Sequence, residues 1–143
     1  MTVNLKRYGL VYFGAVVAIV VLSFGIQFFS SISLPPLLTV MLPALCAAMF
    51  EGQKAADEDV PQLTGSEAWT QARRMTGVAM GITLIPVALL LFDEQTRVLF
   101  SAAPGLTLVL ALFLLGFTLW ANRFGLLQGY KARKKAKEKA GGS

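Results

Sequence analysis

The amino-acid sequence predicts an all-α membrane protein with four transmembrane helices and both termini in the cytoplasm. Of its 143 residues, 55% are hydrophobic and 15% are charged, and four uncharged apolar segments divide the chain. A soluble domain carries roughly 25% charged residues, and a membrane-spanning helix needs roughly 20 apolar ones. Helices are expected because an open sheet would leave unpaired amides in lipid. One transmembrane domain at residues 1–130 and a basic cytoplasmic tail at 131–143 follow from this pattern.

The first span is predicted at residues 8–29, which carry no charged side chain. Lys6 and Arg7 ahead of an apolar run are also typical of a signal peptide. The run is longer than a signal-peptide core, and no small-residue cleavage site followed by polar sequence appears. We therefore favour a retained transmembrane helix.

The second span is predicted at residues 34–50, ending at Glu51-Gly52. The two prolines at its start are tolerated because the first amides of a helix lack partners anyway. Glu51 is the acid nearest to any span. We interpret it as a plain helix-end residue rather than as a buried functional carboxylate.

The segment 51–74 is the longest polar stretch between spans. Its acidic triplet, residues 57–59, is interpreted as a solvated loop rather than a cation site, with docking of a basic partner as the alternative. Thr64 and Glu67 match a capping box, in which each side chain bonds an amide at a helix start. The helix they begin is expected to protrude into the cytoplasm before it enters the third span, 75–92.

The fourth span is predicted at residues 104–121, and Asn122-Arg123 marks its exit. The helix is expected to continue toward Lys139 through a strongly basic run. Such a run is found both in nucleic-acid-binding and in lipid-binding proteins. Because it follows a membrane exit, we predict an anionic lipid surface as its partner and no nucleic acid.

Every Lys and Arg except Arg97 falls on the side of the membrane that holds both termini and the middle loop. The excess of these residues on cytoplasmic loops sets the orientation of small membrane proteins. We therefore predict a multi-pass protein of the bacterial inner membrane, N-in and C-in. Residues 30–33 and 93–103 are expected to face outward.

One aromatic and several basic side chains are predicted to lie at the level of the lipid headgroups. Trp favours this level, and long basic side chains reach phosphates while their stems stay in apolar surroundings. These residues are Trp69, Arg73, Arg74, Arg123, Lys131, Arg133, Lys134 and Lys135.

Small residues four apart are predicted to form close helix crossings. The default partner is a helix of the same chain, and another subunit is the competing one. The pairs are Gly14 with Ala18, Ala44 with Ala48, and Gly77 with Gly81. Pro43 and Pro86 lie inside predicted helices and are expected to kink them, because proline removes a backbone hydrogen bond.

The sequence contains no His and one Cys, Cys46, which excludes Ser-His and Cys-His pairs, imidazole ligation of metal or haem, and an internal disulfide. No Asp, Glu, Lys or Arg lies in the middle of a predicted span, where proton relays and ion paths place theirs. We therefore predict no catalytic residue, no metal site and no cofactor. Cys46 is interpreted as a small buried apolar group.

Short motifs at residues 4–8 (Asn-Leu-Lys-Arg-Tyr), 50–54 (Phe-Glu-Gly-Gln-Lys) and 67–69 (Glu-Ala-Trp), together with Pro61, carry a family resemblance. Over about its first ninety residues, the chain resembles a family of small four-span bacterial inner-membrane proteins of unknown function. The resemblance implies the four-span topology. It implies no activity and no functional residue.

We expect a non-catalytic structural or accessory protein that packs its helices against a larger membrane complex. A small oligomeric transporter or channel, with Pro43 and Pro86 at flexible points, is the alternative. An enzyme acting on lipid would need an acid–base pair that the sequence does not offer.

Overall fold

The computed structural model describes residues 3–30, 36–90 and 92–141, which form helices and their connections. The described chain is all-helical and contains no strand, which confirms the all-α part of the predicted class. Its helices are α1 (Leu5–Ser30), α2 (Pro36–Asp57), α3 (Gly65–Leu90), α4 (Glu94–Ala102) and α5 (Pro104–Gly141).

Helices α1 and α5 are long and apolar enough to cross a membrane. In their most apolar stretches, 6% and 11% of the residues respectively are buried within the chain. The core helix of a soluble protein would be mostly buried, so this exposure favours lipid as the surroundings of both helices. For α2 and α3 the membrane span remains a prediction.

Helix α2 differs from its predicted span at the C-terminal end. The helix continues through Glu51 and Gly52 to Asp57. Two residues later, Asp59 adopts a left-handed backbone conformation with a φ of 52°. The Val60 amide bonds the carbonyl of Ala55 at 3.1 Å, and the Asp59 amide bonds that of Ala56 at 3.3 Å. This pattern is a Schellman motif, in which the two amides satisfy the last carbonyls of the helix.

Helix α3 begins where the capping box predicts. The Thr64 amide donates to the Glu67 carboxylate at 2.9 Å, and the Glu67 amide donates to the Thr64 hydroxyl at 3.4 Å. The bond from the Thr64 amide, together with one from the Thr64 hydroxyl at 2.9 Å, stabilises the ionised carboxylate, so the pKa of Glu67 lies below its usual value. The helix then continues without interruption to Leu90.

The predicted outward loop at residues 93–103 contains a helix, α4, that the sequence analysis did not anticipate. Helix α5 follows at once and continues past the predicted exit at Arg123 to Gly141, as expected for the basic run. Residues 31–35, which include most of the other outward turn and the start of the second predicted span, lie outside the described residues.

The four long helices form a bundle with the neighbour order α1, α2, α5, α3. Helix α5 packs most extensively against α2, α1 contacts both α2 and α3, and α3 contacts α5. The N-terminal residues of the chain lie beside α2 and α3, since the amides of Asn4 and Val3 bond Glu51 and Gln71. We call this end of the bundle, where the polar contacts concentrate, the polar end.

Candidate functional site: the polar end of the bundle

A buried asparagine joins three helices at the polar end. Asn122 on α5 is fully enclosed. Its Oδ1 accepts a hydrogen bond from the Tyr8 hydroxyl of α1 at 2.8 Å, and its Nδ2 donates to Thr76 Oγ1 of α3 at 3.0 Å. The sequence interpretation treated Asn122 as a membrane exit and missed this role, because nothing local identifies its partners.

A second polar contact lies one turn further along α1. The hydroxyls of Tyr12 and Thr83 share a hydrogen bond of 2.9 Å, and the ring of Tyr12 stacks near that of Tyr8 at a centroid distance of 6.0 Å. Both tyrosines are almost completely buried. Buried polar groups that satisfy one another in this way hold helices in one relative register.

Glu51 forms a buried ion pair, which corrects its interpretation as a plain helix-end residue. Its side chain is 1% exposed, and Arg7 Nε and Nη2 donate to its two carboxylate oxygens at 2.6 and 3.0 Å. The amide of Asn4 adds a third contact at 3.3 Å. Because the arginine fork neutralises and hydrogen-bonds the carboxylate, the helix can carry a buried acid in its interior.

The acidic triplet at residues 57–59 is solvent-exposed at Glu58 and Asp59, and its carboxylates also pair with the basic tail of the same chain and with Arg7. Asp57 pairs with Arg133 at 2.6 Å and Asp59 with Lys137 at 2.8 Å, while Glu58 lies 3.6 Å from Arg7. The hydrogen bond from Arg133 holds the pKa of Asp57 below its usual value.

Lys137 also caps the C-terminus of α2. Its ammonium donates to the carbonyls of Ala56 and Asp57 at 3.0 and 3.3 Å. A cation at this position complements both the last carbonyls of the helix and the negative end of the helix dipole. The Tyr130 hydroxyl donates to the carbonyl of Val60 at 2.8 Å. We call these tail contacts, made by Tyr130, Arg133 and Lys137, the tail clasp.

Two residues predicted at the headgroup level, Trp69 and Arg123, lie together. The guanidinium carbon of Arg123 lies 4.8 Å from the centre of the Trp69 ring. Arg73 and Arg74 are exposed on α3. The remaining residues of that predicted set are exposed on the C-terminal part of α5, namely Lys131, Arg133, Lys134 and Lys135.

The α2–α5 contact is built from two rows of small residues. Ala44 and Ala48 of the predicted pairs are fully buried in α2, and Gly52 continues their spacing. On α5, a Cβ at Gly125 would lie 2.8 Å from the carbonyl oxygen of Leu45, and one at Gly129 would overlap the backbone of Met49. The Gly125-x-x-x-Gly129 spacing was visible in the sequence, although the analysis did not single it out.

The other predicted small-residue pairs make no close crossing within the described chain. A Cβ at Gly14, Gly77 or Gly81 would meet nothing within 4 Å, and Ala18 is exposed. The default interpretation, packing within the bundle, is therefore wrong for these pairs. The competing one, packing against another subunit, stays a prediction.

The prolines and the cysteine occupy contrasting positions. Pro43 is buried and Pro86 is exposed, and the helix assignments of α2 and α3 continue through them. Cys46 lies on the exposed side of α2, so its prediction as a buried group is wrong. Its neighbours Ala44 and Ala47 take the buried positions instead, because helical geometry turns residue 46 away from the core.

No group of three or more potential metal-ligating side chains is found in the described part of the chain. No protein-family model, curated protein or solved structure matches the sequence significantly.

Proposed function

We propose that this chain is a non-catalytic protein of the bacterial inner membrane that packs as a structural or accessory subunit against a larger membrane complex. In this proposal, four helices cross the membrane and both termini are cytoplasmic, as in the family that the sequence resembles. The polar end then lies at the cytoplasmic surface. The observation that carries the proposal is the contrast between a closed polar interior and open small-residue faces.

The closed interior supports a structural role. The buried polar side chains of Tyr8, Thr76 and Asn122 bond one another, and Glu51 bonds Arg7. Groups engaged in this way stabilise the fold and are not free to bind a solute. Such a hydrogen-bonded network holds the helices in one relative arrangement, which a structural subunit requires.

The open faces support contact with another protein. Gly77 and Gly81 lie one turn apart on α3, and Gly14 lies on α1, and none of them has a described residue next to its Cβ position. In lipid, helices associate through close approach of small residues, since apolar side chains gain little by leaving lipid tails. Faces of this kind suit a helix of a larger assembly.

The test is solubilisation of native membranes in mild detergent, with Gly77→Leu/Gly81→Leu compared with the parent chain. We expect the parent to migrate with partners and the variant to migrate as a free species of about 15 kDa. Gly116→Leu on α5 is the matched control, because its Cβ also meets nothing within 4 Å. A parent that always migrates alone, or a variant that keeps its partners, contradicts the proposal.

A small oligomeric transporter is the second candidate, and Glu51 is the observation that favours it. Proton-coupled exporters use a buried carboxylate, and Glu51 is a carboxylate shielded from solvent inside α2. A separate groove of about 300 Å³ lies between α1 and α2, and its lining includes the polar side chains of Ser23, Gln27 and Thr39.

Solute flux into reconstituted vesicles tests this candidate. A transporter is expected to lose flux in Glu51→Gln and in the double variant Pro43→Ala/Pro86→Ala. Cys46→Ser, at an exposed position of the same helix, is expected to keep it. Flux that is absent in the parent, or unchanged in Glu51→Gln, rules the transporter out.

A further inference from the structure

Arg123 is held in place without a hydrogen-bonding partner. Its guanidinium lies over the half-buried ring of Trp69. Nε is enclosed and has no hydrogen-bond partner among the described residues. The contact with the ring restrains the guanidinium, and the side chain is only half-buried, so an external anion can approach its terminal nitrogens.

The acids of the polar end are occupied by other groups, except for Glu138, which is exposed 15 residues beyond Arg123 on α5. Glu51 binds Arg7, and Glu67 binds the start of α3. The triplet carboxylates bind Arg7 and the tail clasp. Within the described chain, no carboxylate forms an ion pair with Arg123, Arg73 or Arg74. The positive charge of this region is thus left for an external anion.

The place of Arg123 on α5 indicates the source of that anion. It lies at the end of the apolar stretch of the helix, and Trp120 and Phe124, whose rings stack at 5.2 Å, are both partly exposed beside it. Exposed aromatic rings at the end of an apolar helix are typical of the membrane–water boundary. A phosphate at this level belongs to a lipid headgroup.

We infer that Arg123, held over the Trp69 ring, binds the phosphodiester of an anionic phospholipid headgroup. The terminal nitrogens of the fork donate to two phosphate oxygens, as guanidinium groups do in bidentate phosphate binding. Arg73, one turn from Trp69 on α3, adds positive potential that favours a headgroup with net negative charge over a zwitterionic one. The inference rests on the membrane location proposed above and is independent of a protein partner.

The experiment uses the full chain with Trp120→Phe, so that Trp69 is the single tryptophan, purified in an uncharged detergent. Trp69 fluorescence is recorded while short-chain phosphatidylglycerol, short-chain phosphatidylcholine or inorganic phosphate is added. We expect a saturable change with phosphatidylglycerol and a midpoint at least about tenfold higher with phosphatidylcholine. Inorganic phosphate at the same concentrations is expected to leave the signal unchanged.

Arg123→Gln is expected to raise the phosphatidylglycerol midpoint about tenfold or more, the scale of losing charge-assisted hydrogen bonds. Arg74→Gln removes the same charge from an exposed arginine without a ring contact, and a shift of about twofold or less is expected. Arg123→Lys keeps the charge without the planar fork and is expected to bind several-fold more weakly than the parent.

Equal weakening by Arg123→Gln and Arg74→Gln would show diffuse attraction and overturn the inference. So would equal midpoints for the two lipids, saturation by inorganic phosphate, or no saturable response of the parent. Where circular dichroism shows that Arg123→Gln has lost helix, Arg123→Lys is the deciding variant. A phosphatidylglycerol midpoint in Arg123→Lys equal to that of the parent would reject binding through the guanidinium fork. None of these outcomes depends on whether the chain joins a larger complex.

Discussion

Glu51 and Arg7 show how single side chains determine what a helix can carry. A buried carboxylate without a partner is costly, so Glu51 depends on the arginine fork of α1. The two residues are unequally exposed, with 1% of the Glu51 side chain and 32% of the Arg7 side chain accessible. Arg7 also lies 3.6 Å from Glu58. Loss of Arg7 is therefore expected to have different consequences from loss of Glu51.

Arg7→Gln is expected to destabilise the protein by about 3 kcal/mol, because it leaves the Glu51 charge enclosed without compensation. Glu51→Gln is expected to cost about 1 kcal/mol, since Arg7 can still reach water and Glu58. The measurement is the free energy of unfolding in mixed micelles, followed by circular dichroism. A larger loss for Glu51→Gln than for Arg7→Gln would contradict the role assigned to the pair. Lys6→Gln, at an exposed position next to Arg7, is the matched control and is expected to have little effect.

Among the secondary-structure elements, helices α2 and α5 pack closely because glycines at their crossing points carry no side chain. Leu or Ala at its crossing points would collide with backbone, as the positions of Gly125 and Gly129 show. Close approach increases dispersion contacts and brings backbone groups of the two helices together. In the proposed membrane location, apolar side chains gain little by leaving lipid tails, so this close fit is expected to hold the two helices together.

Gly129→Ala is expected to destabilise the protein by about 3 kcal/mol, because the new methyl group meets the Met49 backbone, which cannot rotate away. Gly77→Ala adds the same methyl group on an open helix face. It is expected to be neutral or to stabilise the fold by up to about 1 kcal/mol through helix propensity. Parallel denaturation of the two variants in one detergent checks the difference. Equal stability of both would reject the close α2–α5 crossing.

The tail clasp joins the end of α2 to the last turns of α5, and its strength depends on pH. The pKa of Asp57 is lowered in the folded protein by the hydrogen bond from Arg133. The contribution of this pair is therefore fully present above the ordinary pKa of about 4 and is lost as the pH falls through the lower, folded value. Because the pair is exposed, salt also weakens it.

We expect amide hydrogen exchange in the C-terminal part of α5 to accelerate when the pH falls from about 6 to about 3, after correction for the intrinsic rate. Arg133→Gln is expected to show the faster exchange already at pH 6 and a smaller further change. Lys135→Gln, which removes a charge from an exposed neighbour, serves as the control. A pH response that is the same in all three proteins would contradict the clasp.

Over the whole molecule, charge is divided between the two ends of the bundle. The polar end holds the Arg7–Glu51 pair, the tail clasp and the exposed arginines of α3, whereas the far end carries Arg97 as its basic residue among those described. Lys and Arg are retained on the cytoplasmic side of a membrane. This distribution agrees with the proposed orientation, N-in and C-in.

Reporter fusions test this orientation. A fusion after Gly141 is expected to be active only with a cytoplasmic reporter, and an insertion between α4 and α5 at Ala103 only with a periplasmic one. An insertion at Gln62, between α2 and α3, is expected to match the C-terminal fusion. A periplasmic signal from the C-terminal fusion, or a chain that is soluble without lipid or detergent, would overturn the proposed topology.

The all-helical class, the apolar stretches within α1 and α5, and the start of α3 follow from local sequence, because apolar length and capping depend on residues near one another. The partners of the buried polar groups cannot be predicted from local sequence. Tyr8 and Asn122 are 114 residues apart and Arg7 and Glu51 are 44 apart, so only the packing of the helices brings them together. For the same reason, the tertiary structure alone distinguishes the buried Ala44 and Ala48 from the open Gly77 and Gly81. Spacing along one helix shows that residues share a face, but the neighbouring helix decides whether that face is covered.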